Sequence, residues 1–137
     1  MERKIIVATH GDAANGITDS VRMILGEIKV QIETFTLKPG ENTTDFVETI
    51  KTEIEQNKNT EYVILTDLYG ASVCSSMYSL VVFENVWLFS GVNVGMLLLI
   101  CVDYPNKLSS SDADKIVKDT CDGIRYLKHE KEIEEDF

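Results

Sequence analysis

An open, mainly parallel, doubly wound α/β sheet is predicted by three features of the chain. Short runs rich in Ile, Val, Leu and Phe alternate with segments whose apolar residues recur at spacings of three and four. The runs end in turn-forming His-Gly, Asp and Gly residues. Strands separated by helices join through right-handed crossovers, which makes them parallel neighbours in a sheet with helices on both faces. Four parallel strands in the order 2-1-3-4 are expected, and ligands in such sheets collect beyond the strand carboxyl ends, where the winding reverses.

The first strand, Lys4 to Thr9, runs into His10-Gly11, and Asp12 to Leu25 follows as a helix with Ile17, Val21, Ile24 and Leu25 in one stripe and Gly26 as its cap. Val30 to Phe35 alternates apolar and polar, as a strand near a sheet edge does, and Pro39-Gly40 turns the chain. Asn42 or Thr43 can cap the next helix, whose stripe is Phe46, Val47, Ile50 and Ile54. Glu61 to Thr66 is a third strand, apolar on both faces, with Asp67 at its carboxyl end.

Leu68 to Ala71 is a loop, with Ser72 as N-cap of a short helix from Val73 to Val82. Asn85 to Ser90 is the fourth strand and ends in the turn Gly91-Val92-Asn93. The apolar run Val94 to Val102 suits a buried helix as well as a strand, and a helix is expected. After Tyr104-Pro105-Asn106, Ser110 or Ser111 opens a last helix carrying Ile116, Val117 and Cys121, which Gly123 ends. Ile124 to Leu127 could add a strand to an exposed sheet edge.

The 137 residues suffice for one core, read as a folded unit over residues 1–128 and an acidic tail over 129–137. A net charge of -10, from 23 acidic and 13 basic residues, argues against nucleic acid as a partner. Cys74, Cys101 and Cys121 form no CxxC or Cys/His cluster and read as reduced core thiols, so neither a metal nor a cofactor is expected. No signal peptide or span of ~20 apolar residues is present, which predicts a cytoplasmic protein.

His10 and Asp67 both lie at strand carboxyl ends, and they converge with Ser72 if the first and third strands are neighbours. An imidazole that carries a phosphoryl group must attack through an unprotonated ring nitrogen while the other keeps its proton. A carboxylate such as Asp67 fixes that tautomer and stabilises the ring as it becomes positive. The turns after the first and third strands hold no Lys or Arg, so phosphoryl oxygens would rely on the backbone of Gly70-Ala71-Ser72-Val73 and the Ser72 hydroxyl.

Ile5 to Gly11 with Met23 to Gly26, then Thr66 to Ser72, then Ser90 to Leu97, resemble the enzyme IIA domain of the mannose-type (mannose/fructose/sorbose) sugar phosphotransferase system. The segments occur in the family's order and span nearly the whole chain. The resemblance implies a phosphocarrier that accepts a phosphoryl group from HPr on His10, with Asp67 orienting the ring and Gly11, Gly70, Ala71 and Ser72 holding the group. The phosphoryl group would pass to a histidine of a IIB protein, which phosphorylates the sugar entering through membrane IIC and IID subunits. The resemblance also implies a homodimer that exchanges an antiparallel C-terminal strand over Ile124 to Lys128. Tyr69 and Asn93 are candidates for the partner-docking surface. Val73, Ser75 and Gly95 stand where the family commonly has proline, asparagine and proline.

Three other readings start from the same residues. A Ser72/His10/Asp67 hydrolase would lack the GxSxG turn. A receiver domain phosphorylated on Asp67 would want an acidic cluster at the end of the first strand, where His10 stands. A regulator of the same fold would bind a partner and never pass the phosphoryl group on.

Overall fold

The structure is a computed structural model and describes residues 2–129. Its four strands, β1 (Glu2–His10), β2 (Gln31–Leu37), β3 (Thr60–Thr66) and β4 (Val86–Phe89), are all parallel, in the order β2-β1-β3-β4. The helices are α1 (Ala13–Leu25), α2 (Thr44–Gln56), α3 (Ser72–Met77), α4 (Val94–Asp103) and α5 (Ser110–Asp122), with a 3-10 turn over Tyr78–Val82.

Alternation along β1 divides the core in two. Ile5 and Val7 meet Val63, Leu65 and Phe89 under α1, α4 and α5, whereas Ile6 and Ala8 meet Ile64 and Val86 under α2, α3 and the 3-10 turn. The two-residue period therefore sends Thr9 towards α1 and His10 towards α3. Reversal of winding between β1 and β3 opens the sheet end at their carboxyl termini.

Two ion networks, one half-buried and one buried, tie the layers together. Lys4 Nζ contacts Glu33 Oε1 of β2 at 2.6 Å and Glu53 Oε1 of α2 at 2.9 Å. The Glu61 carboxylate, 2% exposed, accepts from Arg3 at 2.7 Å, from Trp87 Nε1 at 3.1 Å and from the Leu108 N–H at 2.8 Å, while Arg3 also binds the carbonyls of Tyr104 and Asn106. This pins the link between α4 and α5 to the amino-terminal end of the sheet.

Several expectations need correction. The segment read as one helix from Val73 to Val82 is an α-helical stretch followed by a 3-10 turn, and α3 is capped by Ala71, leaving the Ser72 side chain free of capping. Ser110 opens α5 as expected, and Ser109 before it caps the helix in a reciprocal box with Asp112. Ile24, Val117 and Cys121 are exposed; the fully turned-in residues are Ala14, Thr18 and Val21 on α1 and Ile116 and Thr120 on α5. Cys74 is a buried thiol and Cys101 a half-buried one, whose titration burial pushes up. Ile124 to Lys128 forms no strand within the chain, and Ile124, Tyr126 and Leu127 stand in solvent. The acidic tail lies outside the described residues except for His129. No helix among the described residues is long and apolar enough to cross a membrane.

Candidate functional site

His10 is the last residue of β1, and the β1–β3 register runs only to Ala8 opposite Thr66. The Asp67 carboxylate takes over there. Its Oδ2 accepts the His10 backbone N–H at 2.8 Å and the ring Nδ1–H at 2.8 Å. One oxygen thus holds both the strand end and the imidazole.

Burial pulls the Asp67 carboxyl up, but the His10 N–H, the His10 ring, the nearby Leu68 N–H and the charge of His10 outweigh it and hold it below the usual carboxylate value. The carboxylate stays ionised and can only accept, so Nδ1 carries the proton, and in the neutral ring Nε2 holds the lone pair. Nε2 lies 3.1 Å from Ser72 Oγ, which donates to that lone pair. Ser72 reaches the ring because Ala71 occupies the cap position of α3. Asp67 Oδ1 is buried and makes no hydrogen bond.

The turn after His10 is built by a residue that sequence reasoning passed over. Thr9, fully buried on the α1 side, accepts the Ala14 N–H at 2.8 Å through Oγ1 and so does the capping for which Asp12 is placed. Gly11 has φ +56, and a Cβ at that position would meet nothing within 4 Å, so its backbone conformation, and not crowding, asks for glycine. A threonine that follows buried strand residues and precedes a helix was the available signal.

The other predicted residues divide. The Gly11 N–H is taken by the Leu37 carbonyl at 2.8 Å and the Ala71 N–H by the Leu68 carbonyl at 3.2 Å, which removes both from the pool of phosphoryl donors. The first-turn N–H groups of α3 and the Ser72 hydroxyl remain. Gly70, at φ +78, turns the loop, and its carbonyl accepts from Ser75 Oγ at 3.2 Å, so Ser75 steadies the loop while Val73 is core. Leu68 and Tyr69, in the loop that follows Asp67, are exposed, Tyr69 at 89%.

Asn93 Oδ1 accepts the Met96 N–H at 2.8 Å and caps α4. A Cβ at Gly95 would come 3.3 Å from that oxygen. The turn before Asn93 braces the site from behind: the Gly91 N–H binds the Asp67 carbonyl at 2.6 Å and the Val92 N–H the Thr66 carbonyl at 2.9 Å. Among the described residues no group of His, Cys, Asp and Glu could hold a metal.

Residues 4–117 match the protein family described as the PTS system fructose IIA component. The sorbose-specific EIIA component of the PTS system from Klebsiella pneumoniae is 30% identical over 108 residues, 78% of either chain. The mannose-specific EIIAB component of Escherichia coli K12 is 30% identical over 96 residues, which make up 69% of this chain and 29% of that one. Among solved structures, the PTS IIA protein associated with the fucose utilization operon of Streptococcus pneumoniae superposes with a TM-score of 0.76 at 27% identity, covering 92% of this chain and 93% of that one. The mannose/sorbose specific IIA subunit from Enterococcus faecalis has a TM-score of 0.80 at 18% identity over 96% and 98% of the two chains, a likeness of fold.

Proposed function

Because this chain belongs to the mannose-type family of IIA components of the sugar phosphotransferase system, we propose that it is a cytoplasmic phosphocarrier that accepts a phosphoryl group from phospho-HPr on His10 and passes it to a histidine of a IIB protein. The observation that carries this reading is the imidazole held at Nδ1 by Asp67, with its Nε2 lone pair turned to Ser72.

The Nε2 lone pair forms the new N–P bond as the N–P bond of the donor's phosphorylated imidazole breaks, and that electron pair returns to the donor ring. Positive charge moves from the donor ring to His10, where Asp67 Oδ2 at 2.8 Å compensates it. The Ser72 hydroxyl, which points at the lone pair in the resting protein, turns to donate to a phosphoryl oxygen, beside the first-turn N–H groups of α3. The donors of this cradle, the Ser72 hydroxyl and the α3 N–H groups, are neutral.

Leu68 and Tyr69 offer an apolar rim to the incoming proteins. The onward route through IIB to the sugar at the IIC and IID subunits, and a homodimer that pairs Ile124 to Lys128 with the sheet of a second copy, belong to the same proposal. The exposed Ile124, Tyr126 and Leu127 support the pairing. Incubation with phosphoenolpyruvate, enzyme I and HPr tests the reading: the chain should be labelled and His10→Ala should not, and equal labelling of the two would refute it. Transfer of the label to the cognate IIB distinguishes a carrier from a regulator that only binds a partner.

The Asp67–His10–Ser72 line also has the spacing of a hydrolase triad. Ser72 opens a helix of six residues and lacks the GxSxG strand-to-helix turn, which favours the carrier. Ester hydrolysis abolished by Ser72→Ala would reverse that preference.

A further inference from the structure

Lys38 is the single Lys or Arg in the four turns that close the carboxyl end of the sheet, residues 11–12, 38–43, 67–71 and 90–93. It follows Leu37, the register partner of His10 on β2, and the Gly11 N–H to Leu37 carbonyl bond ties its backbone to the turn after His10. Lys38 Nζ lies 3.0 Å from Asp12 Oδ1, and Asp12 is two residues beyond His10. Asp12 stands at the N-cap of α1 yet makes no cap bond, since Thr9 has that task; Lys38 first and then Asn15 bind its carboxylate and hold its carboxyl below the usual value.

Stability does not account for this pair. Both side chains are exposed, Lys38 at 48% and Asp12 at 77%, and solvent screens such a contact to little net value. Phosphoryl chemistry does give it a purpose. A phosphoryl group on His10 brings about two negative charges to the sheet end at which Asp12 stands two residues along the chain, and an uncompensated Asp12 would oppose its arrival.

We propose that Lys38 is a movable counterion of the phosphoryl site: its ammonium neutralises Asp12 while His10 is unmodified and turns to the phosphoryl group once His10 carries it. A lysine suits the task, being a compact charge on a flexible four-carbon stem that can exchange one anion for another, and Asn15 remains to hold Asp12 when it leaves. The inference rests on His10 being the acceptor.

The test compares the full-length wild type with Lys38→Met, Asp12→Asn and the double variant. Each is phosphorylated two ways, by phospho-HPr and by phosphoramidate, whose P–N bond breaks as the bond to Nε2 forms and whose nitrogen leaves as ammonia with a proton from water. Lys38→Met should accept the group from either donor about three- to tenfold more slowly at low salt, and the pKa of its phosphoryl group, followed by phosphorus NMR, should rise. Asp12→Asn in the Lys38→Met background should restore most of the rate, Lys38→Arg should keep the wild-type titration, and the differences should shrink between about 20 and about 300 mM salt.

A Lys38→Met protein with wild-type rates and an unchanged phosphoryl titration would overturn the counterion. So would a double variant no better than Lys38→Met. If wild-type His10 takes no label from phosphoramidate or from phospho-HPr, the acceptor reading itself falls, and the counterion with it. That outcome is distinct from a normally labelled His10 that is indifferent to Lys38.

Discussion

Replacing Asp67 by Asn changes the charge beside His10, the proposed acceptor, and almost nothing else. The amide oxygen can take the place of Oδ2 and still accept the His10 backbone N–H and Nδ1–H, each now at 2.8 Å. The backbone bond is present before and after phosphorylation and cancels from the comparison. The ring bond does not, because the ring becomes positive as Nε2 takes the phosphoryl group. Two unit charges ~4 Å apart at an effective dielectric of ~20 would be worth about 4 kcal/mol, but the His10 side chain is 44% exposed and Asp67 21%, so solvent screens much of it. The difference between a charge-assisted and a neutral hydrogen bond, about 1 to 2 kcal/mol, is the better scale. It corresponds to an acceptance rate about 5- to 30-fold slower for Asp67→Asn. Single-turnover rapid-quench labelling from phospho-HPr reads that rate, and a value within about twofold of the wild type would refute the claim that Asp67 compensates charge on the ring.

The same carboxylate makes stability depend on pH. Its folded pKa is depressed, so it contributes stability that is fully present above the unfolded value, near 3.8, and is lost as pH falls through the folded one. Urea melts of the wild type and Asp67→Asn should therefore draw closer in stability as the pH is lowered below about 4. Parallel pH curves would contradict this. Ser72→Ala, which removes a donor to the phosphoryl group, should slow acceptance about tenfold and leave the melting temperature within a degree or two, read by the same labelling and by calorimetry. Tyr69→Ala, at a side chain 89% exposed, should raise the KM for phospho-HPr several-fold while labelling by phosphoramidate stays unchanged; equal losses with both donors would remove Tyr69 from the docking rim. Glu61→Gln leaves the buried Arg3 guanidinium without its counter-charge and should cost about 3 kcal/mol in denaturant unfolding, with His10 labelling intact in the folded fraction.

Much of the fold was legible along the chain because its signals are local. The apolar run Tyr62 to Leu65, set between turn-forming residues, has the pattern of a strand covered on both sides, and the stripe of Ile50 and Ile54 has that of a helix face turned inward. His10 and Asp67 were found for the same reason, each standing where a strand hands over to a turn. Local reasoning failed where two partners compete for one group. Ser72 has the residue type of a cap, yet Ala71 fills that position and the hydroxyl goes to the ring 62 residues away in sequence. Thr9 looked like one more strand residue, but its hydroxyl caps α1 from inside the core. Ala71 was expected to have an open N–H, which the Leu68 carbonyl takes, and the N–H of Gly11, expected to help hold the group, goes to the Leu37 carbonyl.

By itself the sequence determined the alternation of strands and helices, the chemistry available at the strand ends and, through its resemblance, the family. These follow from residue type, spacing and period, all carried by neighbours in the chain. Only the tertiary structure decided that one Asp67 oxygen holds both the His10 backbone and its ring, that Asn93 is a cap, and that Lys38 meets Asp12 across the β1–β2 edge. Each is a contact between residues whose partners are chosen by strand order and register, and a polar group with several possible partners goes to whichever one the packed sheet brings within 3 Å or so.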